Sequence, residues 1–217
     1  MRPKVCALAS TPRSGTHFLR FTLDSHPQMS WAGEFFRQHI KKNIRETRIQ
    51  SYIYNGLSST LIDQFKYVGF VWHLTLEPDL DYSRVDKFIL LERKHKLAQF
   101  ASLQLAMNTG FWRVPEDETE YRNTHKITLD VEDYFEFLGS NAAAYDCFKK
   151  KNLNYKKIYY EDLCNNFTET VKSLQDFLGI DYFDLKPGDL IKQEHRPLKE
   201  IITNYEDIKR YDGFYKV

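Results

Sequence analysis

Apolar residues recur along this chain with two different spacings. Continuous apolar runs of strand length occur within residues 4–10, 67–74 and 86–92, and residues 155–163 are predicted to form a further strand followed by a turn. Segments with an apolar residue at every third or fourth position lie at residues 15–26, 34–46, 57–65, 95–108 and 165–179. Strands that alternate with helices predict an α/β fold, with a central, mainly parallel sheet flanked by helices.

The segment at residues 165–179 has the clearest helical pattern. Its apolar stripe consists of Phe167, Val171, Leu174 and Leu178. Asn166 is the predicted N-cap of this helix, with Glu169 three residues later, and Gly179 is placed to end it. Residues 113–126 are polar and have no such period, so they are predicted to form a loop.

Composition and charge bound the class of protein. The chain has 217 residues, of which 42% are hydrophobic and 28% charged, and we predict a single domain over residues 1–217. A net charge of +1 favours neither nucleic acid nor an anionic membrane as a partner. The three cysteines match neither a disulfide framework nor a metal site, and no apolar run is long enough to span a membrane. With no recognisable secretion signal, these features predict a cytoplasmic protein.

The stretch ALASTPRSGTHFLRFTLDSHP, at residues 7–27, predicts an anion site. A strand, a turn and a helix N-terminus together present several backbone N–H groups to one point at the carboxyl edge of the sheet. Gly15 allows the turn to approach a ligand, and Arg13 offers a planar guanidinium. Ser14 and Thr16 offer hydroxyl donors. The alternative interpretation is a glycine turn that merely begins a helix.

The same loop does not follow the Walker pattern of nucleoside-triphosphate enzymes. That pattern requires a glycine, four further residues, and then Gly-Lys followed by Ser or Thr. Here Ser10 or Ala9 stands in place of the first glycine, and Thr16 follows Gly15 in place of the lysine. A magnesium-dependent reaction of ATP is therefore disfavoured.

The motif Pro12-Arg13-Ser14-Gly15-Thr16, followed by spaced leucines and by His26-Pro27, resembles the 5′-phosphosulfate loop of sulfotransferases. These enzymes use 3′-phosphoadenosine 5′-phosphosulfate (PAPS) and release the corresponding bisphosphate, PAP. The likeness is to the bacterial carbohydrate-type and tyrosylprotein-type branches, and it implies a P-loop-like sulfotransferase fold. His17 stands where relatives often carry Thr or Ser, and it is a further candidate for contact with the sulfonate.

A second family signature, which binds the 3′-phosphate, resembles RKHKLAQFAS at residues 93–102. Ser102 matches the family serine, while Lys94 stands eight residues before it and Arg93 nine, so either cation is a candidate. Arg93, Lys94 and Lys96 cluster at a helix N-terminus and oppose its dipole, which favours a bound anion there. The segments YYEDL at residues 159–163 and KQEHRPLKEIITNY at residues 192–205 also resemble the family.

The resemblance implies in-line sulfuryl transfer without a metal, in which a base takes the proton of the acceptor. Glu34 matches the position of the proposed catalytic glutamate, with Arg13 neutralising charge on the leaving phosphate. His17 and His73 are rival candidates for catalysis. Near the C-terminus, Gln193 and Arg196 are candidates for contact with the nucleotide. Trp72 and Trp112 either stack on a ligand or belong to the core.

The expected acceptor is a hydroxyl group of a glycan or a small molecule. Residues 38–58 and 113–126 are the segments expected to build the acceptor pocket. Two alternatives remain from the sequence: a P-loop small-molecule kinase, and a relative that binds the nucleotide without turnover.

Overall fold

A five-stranded sheet forms the centre of the protein. The computed structural model describes residues 3–32, 65–76, 82–112, 125–187 and 196–213. The strands are β1 (Lys4–Ser10), β2 (Met29–Trp31), β3 (Tyr67–His73), β4 (Lys87–Glu92) and β5 (Tyr155–Tyr159). They lie in the order β2-β3-β1-β4-β5, and every neighbouring pair is parallel. The predicted parallel α/β sheet is confirmed, and among the described strands only the three-residue β2 was not predicted by the apolar pattern.

Seven α-helices lie within the described ranges. They are α1 (Thr16–Asp24), α2 (Lys96–Thr109), α3 (Val131–Lys150), α4 (Tyr160–Asn165), α5 (Phe167–Leu178), α6 (Leu198–Ile201) and α7 (Tyr205–Ile208). Helices α1, α2 and α5 confirm predictions, whereas the helices predicted at residues 34–46 and 57–65 lie outside the described residues. No helix in the described part of the chain is both long enough and apolar enough to cross a membrane.

Helix α5 has both of its predicted ends. It ends before Gly179, whose φ of 67° lies in the left-handed region where glycine is favoured. Asn166 occupies the N-cap position, but its side chain makes no capping hydrogen bond. The predicted N-cap position is therefore confirmed without a side-chain hydrogen bond, and the carbonyl of Asn166 accepts the first helical hydrogen bond, from Thr170 N.

Helix α3, at 20 residues, was not predicted. Asp130 caps its N-terminus, because its carboxylate accepts hydrogen bonds from the N–H groups of Glu132 and Asp133. Its buried positions are Tyr134, Leu138, Asn141, Tyr145 and Phe148. These residues are spaced alternately by four and three, so they form one face of the helix.

The sheet carries a hydrophobic core on each face. On one face, Ala7 and Ala9 of β1 pack with Trp72 of β3 and Phe148 of α3. On the other face, β1 contributes Leu8 to a cluster that also includes residues of α1 and α5. Trp72 is 1% exposed and its ring lies 5.7 Å from that of Phe148. Trp72 is therefore a core residue, and its ring cannot stack on a ligand.

Gly69 of β3 provides a test of packing in this sheet. A Cβ at this position would lie 2.5 Å from the Trp31 ring, so alanine must displace a buried indole. We expect Gly69→Ala to destabilise the fold by about 1–3 kcal/mol, as overpacking does. The free energy of unfolding in urea measures this effect.

Gly139→Ala is the matched control for Gly69→Ala. Gly139 lies inside α3, and a Cβ there would meet nothing within 4 Å. Removing the conformational freedom of a helical glycine should stabilise the fold by about 0.5–1 kcal/mol. Equal stability of the two variants would contradict the packing of Trp31 on Gly69.

Candidate active site

The loop at residues 11–15 joins the central strand to α1 at the carboxyl edge of the sheet. Ser10, the last residue of β1, lies level with His73 of β3 and with Leu91 of β4. Since ligands of parallel α/β sheets bind beyond this edge, the loop has the position predicted for the anion site.

The loop and the helix that follows it suit an anion. Gly15 is the N-cap of α1, with a φ of 90°, and Arg13 also has a positive φ, of 64°. A positive φ is unusual for a side chain other than glycine, so the surrounding structure must hold Arg13 in place. Helix α1 has neither a side-chain cap nor an acidic residue in its first turn. Its first backbone N–H groups, which lie at the positive end of the helix dipole, are therefore available to a ligand.

Gly15 also packs directly on an aromatic ring. A Cβ at residue 15 would lie 2.3 Å from Cδ2 of Tyr160, the first residue of α4. Burial is the main cause that raises the pKa of Tyr160 to about 12. The phenol therefore stays neutral at physiological pH and provides an uncharged wall behind the loop.

Gly15→Ala should destabilise the fold by about 2–4 kcal/mol, from a left-handed φ and from the clash with Tyr160. Gly110→Ala separates the two causes, because Gly110 has a φ of 74° and a Cβ there would meet nothing within 4 Å. We expect only about 1–2 kcal/mol for that control. Urea unfolding measures both variants, and equal losses would show that the Tyr160 contact contributes nothing.

Under the loop lies a buried network of polar side chains. It comprises Thr11 and Ser14 of the loop, Gln99 of α2 and Tyr145 of α3. Ser14 is fully buried, and the Thr16 hydroxyl lies 2.9 Å from that of Ser10. The hydroxyls of Ser14 and Thr16 thus face the protein. We therefore no longer expect them to donate to a ligand, and expect the backbone N–H groups of these residues to do so.

The Arg13 side chain joins the two predicted signatures. Its Nε donates to Ser102 Oγ at 3.0 Å, and its Nη1 donates to the carbonyl of Trp112 at 3.0 Å. Ser102 belongs to α2, so the first loop and the second signature are in direct contact. Trp112 directly precedes the segment expected to contact the acceptor, most of which lies outside the described residues.

Arg93 lies behind the loop. Its Nη1 donates to the carbonyl of Arg13 at 3.2 Å, and its guanidinium lies 4.8 Å from the centre of the Tyr160 ring. Its Nε is buried without a hydrogen-bond partner among the described residues. Burial lowers the pKa of Arg93, but an arginine pKa starts so high that the group keeps its charge.

Lys94 makes different contacts from those of Arg93. Its Nζ donates to Asp162 at 2.9 Å, and this hydrogen bond raises the pKa of Lys94. The Glu161 carboxylate accepts hydrogen bonds from the backbone N–H groups of Lys94 and His95. The anion predicted at this basic helix terminus is therefore Glu161 itself, so the dipole argument no longer favours a ligand there.

The remaining candidates lie around the same edge. His17 stacks on Phe21 within α1, with ring centres 6.3 Å apart. His73 ends β3 beside the loop. Arg196 donates to the carbonyl of His125 at 3.0 Å and so holds the end of the expected acceptor segment. Glu34 and Gln193 lie outside the described residues, and their roles stay predictions.

Comparison with known families identifies the class of protein. The family model described as Stf0 sulphotransferase matches residues 83–207, more than half of the chain. The chain therefore belongs to the Stf0 sulphotransferase family, which confirms the predicted class, a PAPS-dependent sulfotransferase. The kinase alternative gains no support. No curated protein matches the chain by sequence.

Solved structures share the fold at low sequence identity. A sulfotransferase domain from the curacin biosynthetic pathway has a TM-score of 0.56 and 18% identity, over 92% of this chain and 82% of its own. A sulfotransferase from Alicyclobacillus acidocaldarius has a TM-score of 0.55 and 12% identity, over 97% and 91%. Mouse sulfotransferase SULT7A1, complexed with PAP, has a TM-score of 0.51 and 17% identity over 85% of this chain, which spans 61% of the mouse chain. The predicted sulfotransferase fold is thus confirmed.

Proposed function

We propose that this chain transfers the sulfuryl group of PAPS to a hydroxyl acceptor at the loop formed by residues 11–15. The observation that carries the proposal is the pair of hydrogen bonds from Arg13, which connects the loop to Ser102 and to Trp112. One cation of the first signature thereby contacts the second signature at Ser102 and the residue directly before the expected acceptor segment. The proposal treats residues 1–217 as one sulfotransferase domain.

The residues present fit a nucleotide with two phosphate groups. Arg13 and the N–H groups of Ser14, Gly15 and Thr16 suit the 5′ end, because the uncapped α1 offers donors there. Ser102 and Arg93 suit the 3′-phosphate, since Arg93 has a buried Nε without a hydrogen-bond partner in the described residues.

PAPS supplies an activated sulfuryl group when it is bound. In this scheme Arg13 neutralises negative charge that develops at the 5′ end during transfer. Glu34 takes the proton of the acceptor hydroxyl, and His73 and His17 are the alternatives for that role. Transfer without a metal stays a prediction.

Calorimetry with PAP and with ATP, each with magnesium or with EDTA, tests the function. We expect PAP to bind equally well in both solutions and ATP to bind more weakly. Absence of PAP binding, or tight binding of ATP that requires magnesium, would overturn the proposal.

The proposed acceptor is a glycan or a small molecule in the cytoplasm. The family resemblance supports this acceptor class, and a content of only three cysteines agrees with a reducing compartment. Release of PAP from PAPS in the presence of separate sugar and phenol panels tests it. Turnover of neither panel would contradict both acceptor classes.

Arg93 and Lys94 can be told apart by their partners. Lys94 is exposed and already paired with Asp162, whereas Arg93 is partly buried beside the loop. We expect Arg93→Met to lower PAP affinity by about 10- to 100-fold, the range for a hydrogen bond to a charged group. Lys94→Met is the matched control and should stay within about twofold, as an exposed ion pair contributes little. The reverse order of affinities in calorimetry would assign the phosphate to Lys94.

A further inference from the structure

We propose that Tyr145 and Gln99 are positioning residues, which hold the loop at residues 11–15 from below in the form that binds the 5′-phosphate. This inference rests on the proposed function and extends it to two residues that do not touch the ligand themselves. Both lie behind the loop, on α3 and α2 respectively.

The Tyr145 hydroxyl connects the sheet to the loop. It donates to the carbonyl of Leu91 in β4 at 3.0 Å and accepts from the N–H of Thr11 at 3.3 Å. It also lies 3.1 Å from Thr11 Oγ1 and 3.4 Å from Ser14 Oγ. Because its single proton goes to Leu91, the phenol oxygen acts as an acceptor toward the loop. Burial raises the pKa of Tyr145, so that proton stays in place at physiological pH.

The Gln99 side chain holds the loop from α2 and is fully buried. Its Nε2 donates to the carbonyl of Pro12 at 2.8 Å, and it lies 3.0 Å from both Thr11 Oγ1 and Ser14 Oγ. Pro12 and Ser14 are the residues on either side of Arg13. The network therefore fixes the chain immediately before and after the cation of the site.

This placement explains how Arg13 keeps a left-handed backbone. A residue with a side chain holds a φ of 64° only when its surroundings enforce it. Among the described residues, the flanking hydrogen bonds to Gln99 and Tyr145 do so from the protein side, and Arg93 does so through the Arg13 carbonyl. If the network is weakened, Arg13 and the N–H groups of the loop no longer point together toward the 5′-phosphate, although the fold itself is retained.

Tyr145→Phe is the principal test, because it removes one oxygen and keeps the ring in the core. PAP and adenosine 3′-phosphate, which lacks the 5′-phosphate, are compared by calorimetry. We expect the affinity for PAP to fall by about 5- to 30-fold, as for a buried group left without its partner. The affinity for adenosine 3′-phosphate should change by less than about twofold, because Tyr145 does not hold the second signature.

Tyr134→Phe is the matched control, since Tyr134 is also buried on α3 but packs on Phe100, in a different cluster. It should leave both affinities at the wild-type level. Gln99→Met is the second variant, to be used if Tyr145→Phe does not fold, and it should lower the affinity for PAP more than that for adenosine 3′-phosphate.

The outcomes separate this inference from the proposed function. If the wild-type chain fails to bind PAP, the proposed function fails first. If the wild-type chain binds PAP and Tyr145→Phe binds it equally well, the positioning role is overturned. Equal losses for PAP and for adenosine 3′-phosphate would also overturn it, because they would indicate a general loosening of the fold.

Discussion

An Arg13→Met variant should bind PAP about 10- to 100-fold more weakly than the wild-type chain, because a hydrogen-bonded charge is removed from the site. The rate of sulfuryl transfer should fall further, by about 10²- to 10³-fold, since charge develops on the leaving phosphate only during the reaction. Arg13→Lys keeps the charge but not the planar donors that reach Ser102 and Trp112 together. The affinity of Arg13→Lys for PAP should therefore lie between those of the wild-type chain and of Arg13→Met.

Arg20→Met is the matched control for Arg13. Arg20 lies on α1 over the ring of Phe21, at 3.9 Å from the ring centre. Its loss should leave PAP affinity within about twofold, as for a charge outside the site. Calorimetry and the rate of PAP release from PAPS, with an acceptor that the wild-type chain uses, measure both variants. Equal losses for Arg13 and Arg20 would mean that net charge, and not the position of Arg13, governs binding.

A Glu34→Gln variant should transfer sulfuryl groups about 10²- to 10⁴-fold more slowly, the range for a lost general base. Its affinity for PAP should stay near the wild-type value, because the binding of PAP involves no proton transfer from an acceptor. The change keeps the size of the side chain and removes only its ability to accept a proton. Rate and affinity are measured on the same preparation.

His73→Gln and His17→Gln are the comparisons for Glu34. His73 ends β3 level with Ser10, and His17 stacks on Phe21, so both lie close to the loop. We expect each variant to lose less than about tenfold in rate, because neither carries the main proton transfer. A large loss in His73→Gln, with Glu34→Gln unaffected, would assign the base to His73. Loss of PAP binding in Glu34→Gln would give Glu34 a structural role.

The sequence predicted those elements whose pattern is strong and local. Strands β1, β3 and β4 are almost wholly buried, so their apolar runs are continuous. Helix α3 was missed because three of its five buried positions are Tyr or Asn, which an apolar stripe does not include. Its capping residue Asp130, with acidic residues in the next turn, was the available signal.

The loop itself was predictable, but the side chains that hold it were not. The Pro-Arg-Ser-Gly-Thr motif is contiguous, whereas Tyr145 is 134 residues from its partner Thr11 and Gln99 is 88 residues away. A single sequence contains no pattern that pairs residues at such distances. The basic helix start showed the same limit. Its need for an anion followed from the dipole, but its partner Glu161 lies 67 residues after Lys94.

The hydrogen bond between Thr11 and Tyr145 has a consequence for biosynthesis. It joins residues separated by 134 positions. In addition, β1 cannot pair with its neighbours in the sheet until β3 and β4 have been synthesised. Contacts between distant parts of a chain form slowly and late, because the intervening chain must first be synthesised and its loop closed. If Tyr145 positions the loop as proposed, the loop stays incomplete until α3 has left the ribosome, and the chain can bind the co-substrate only in the later part of its synthesis.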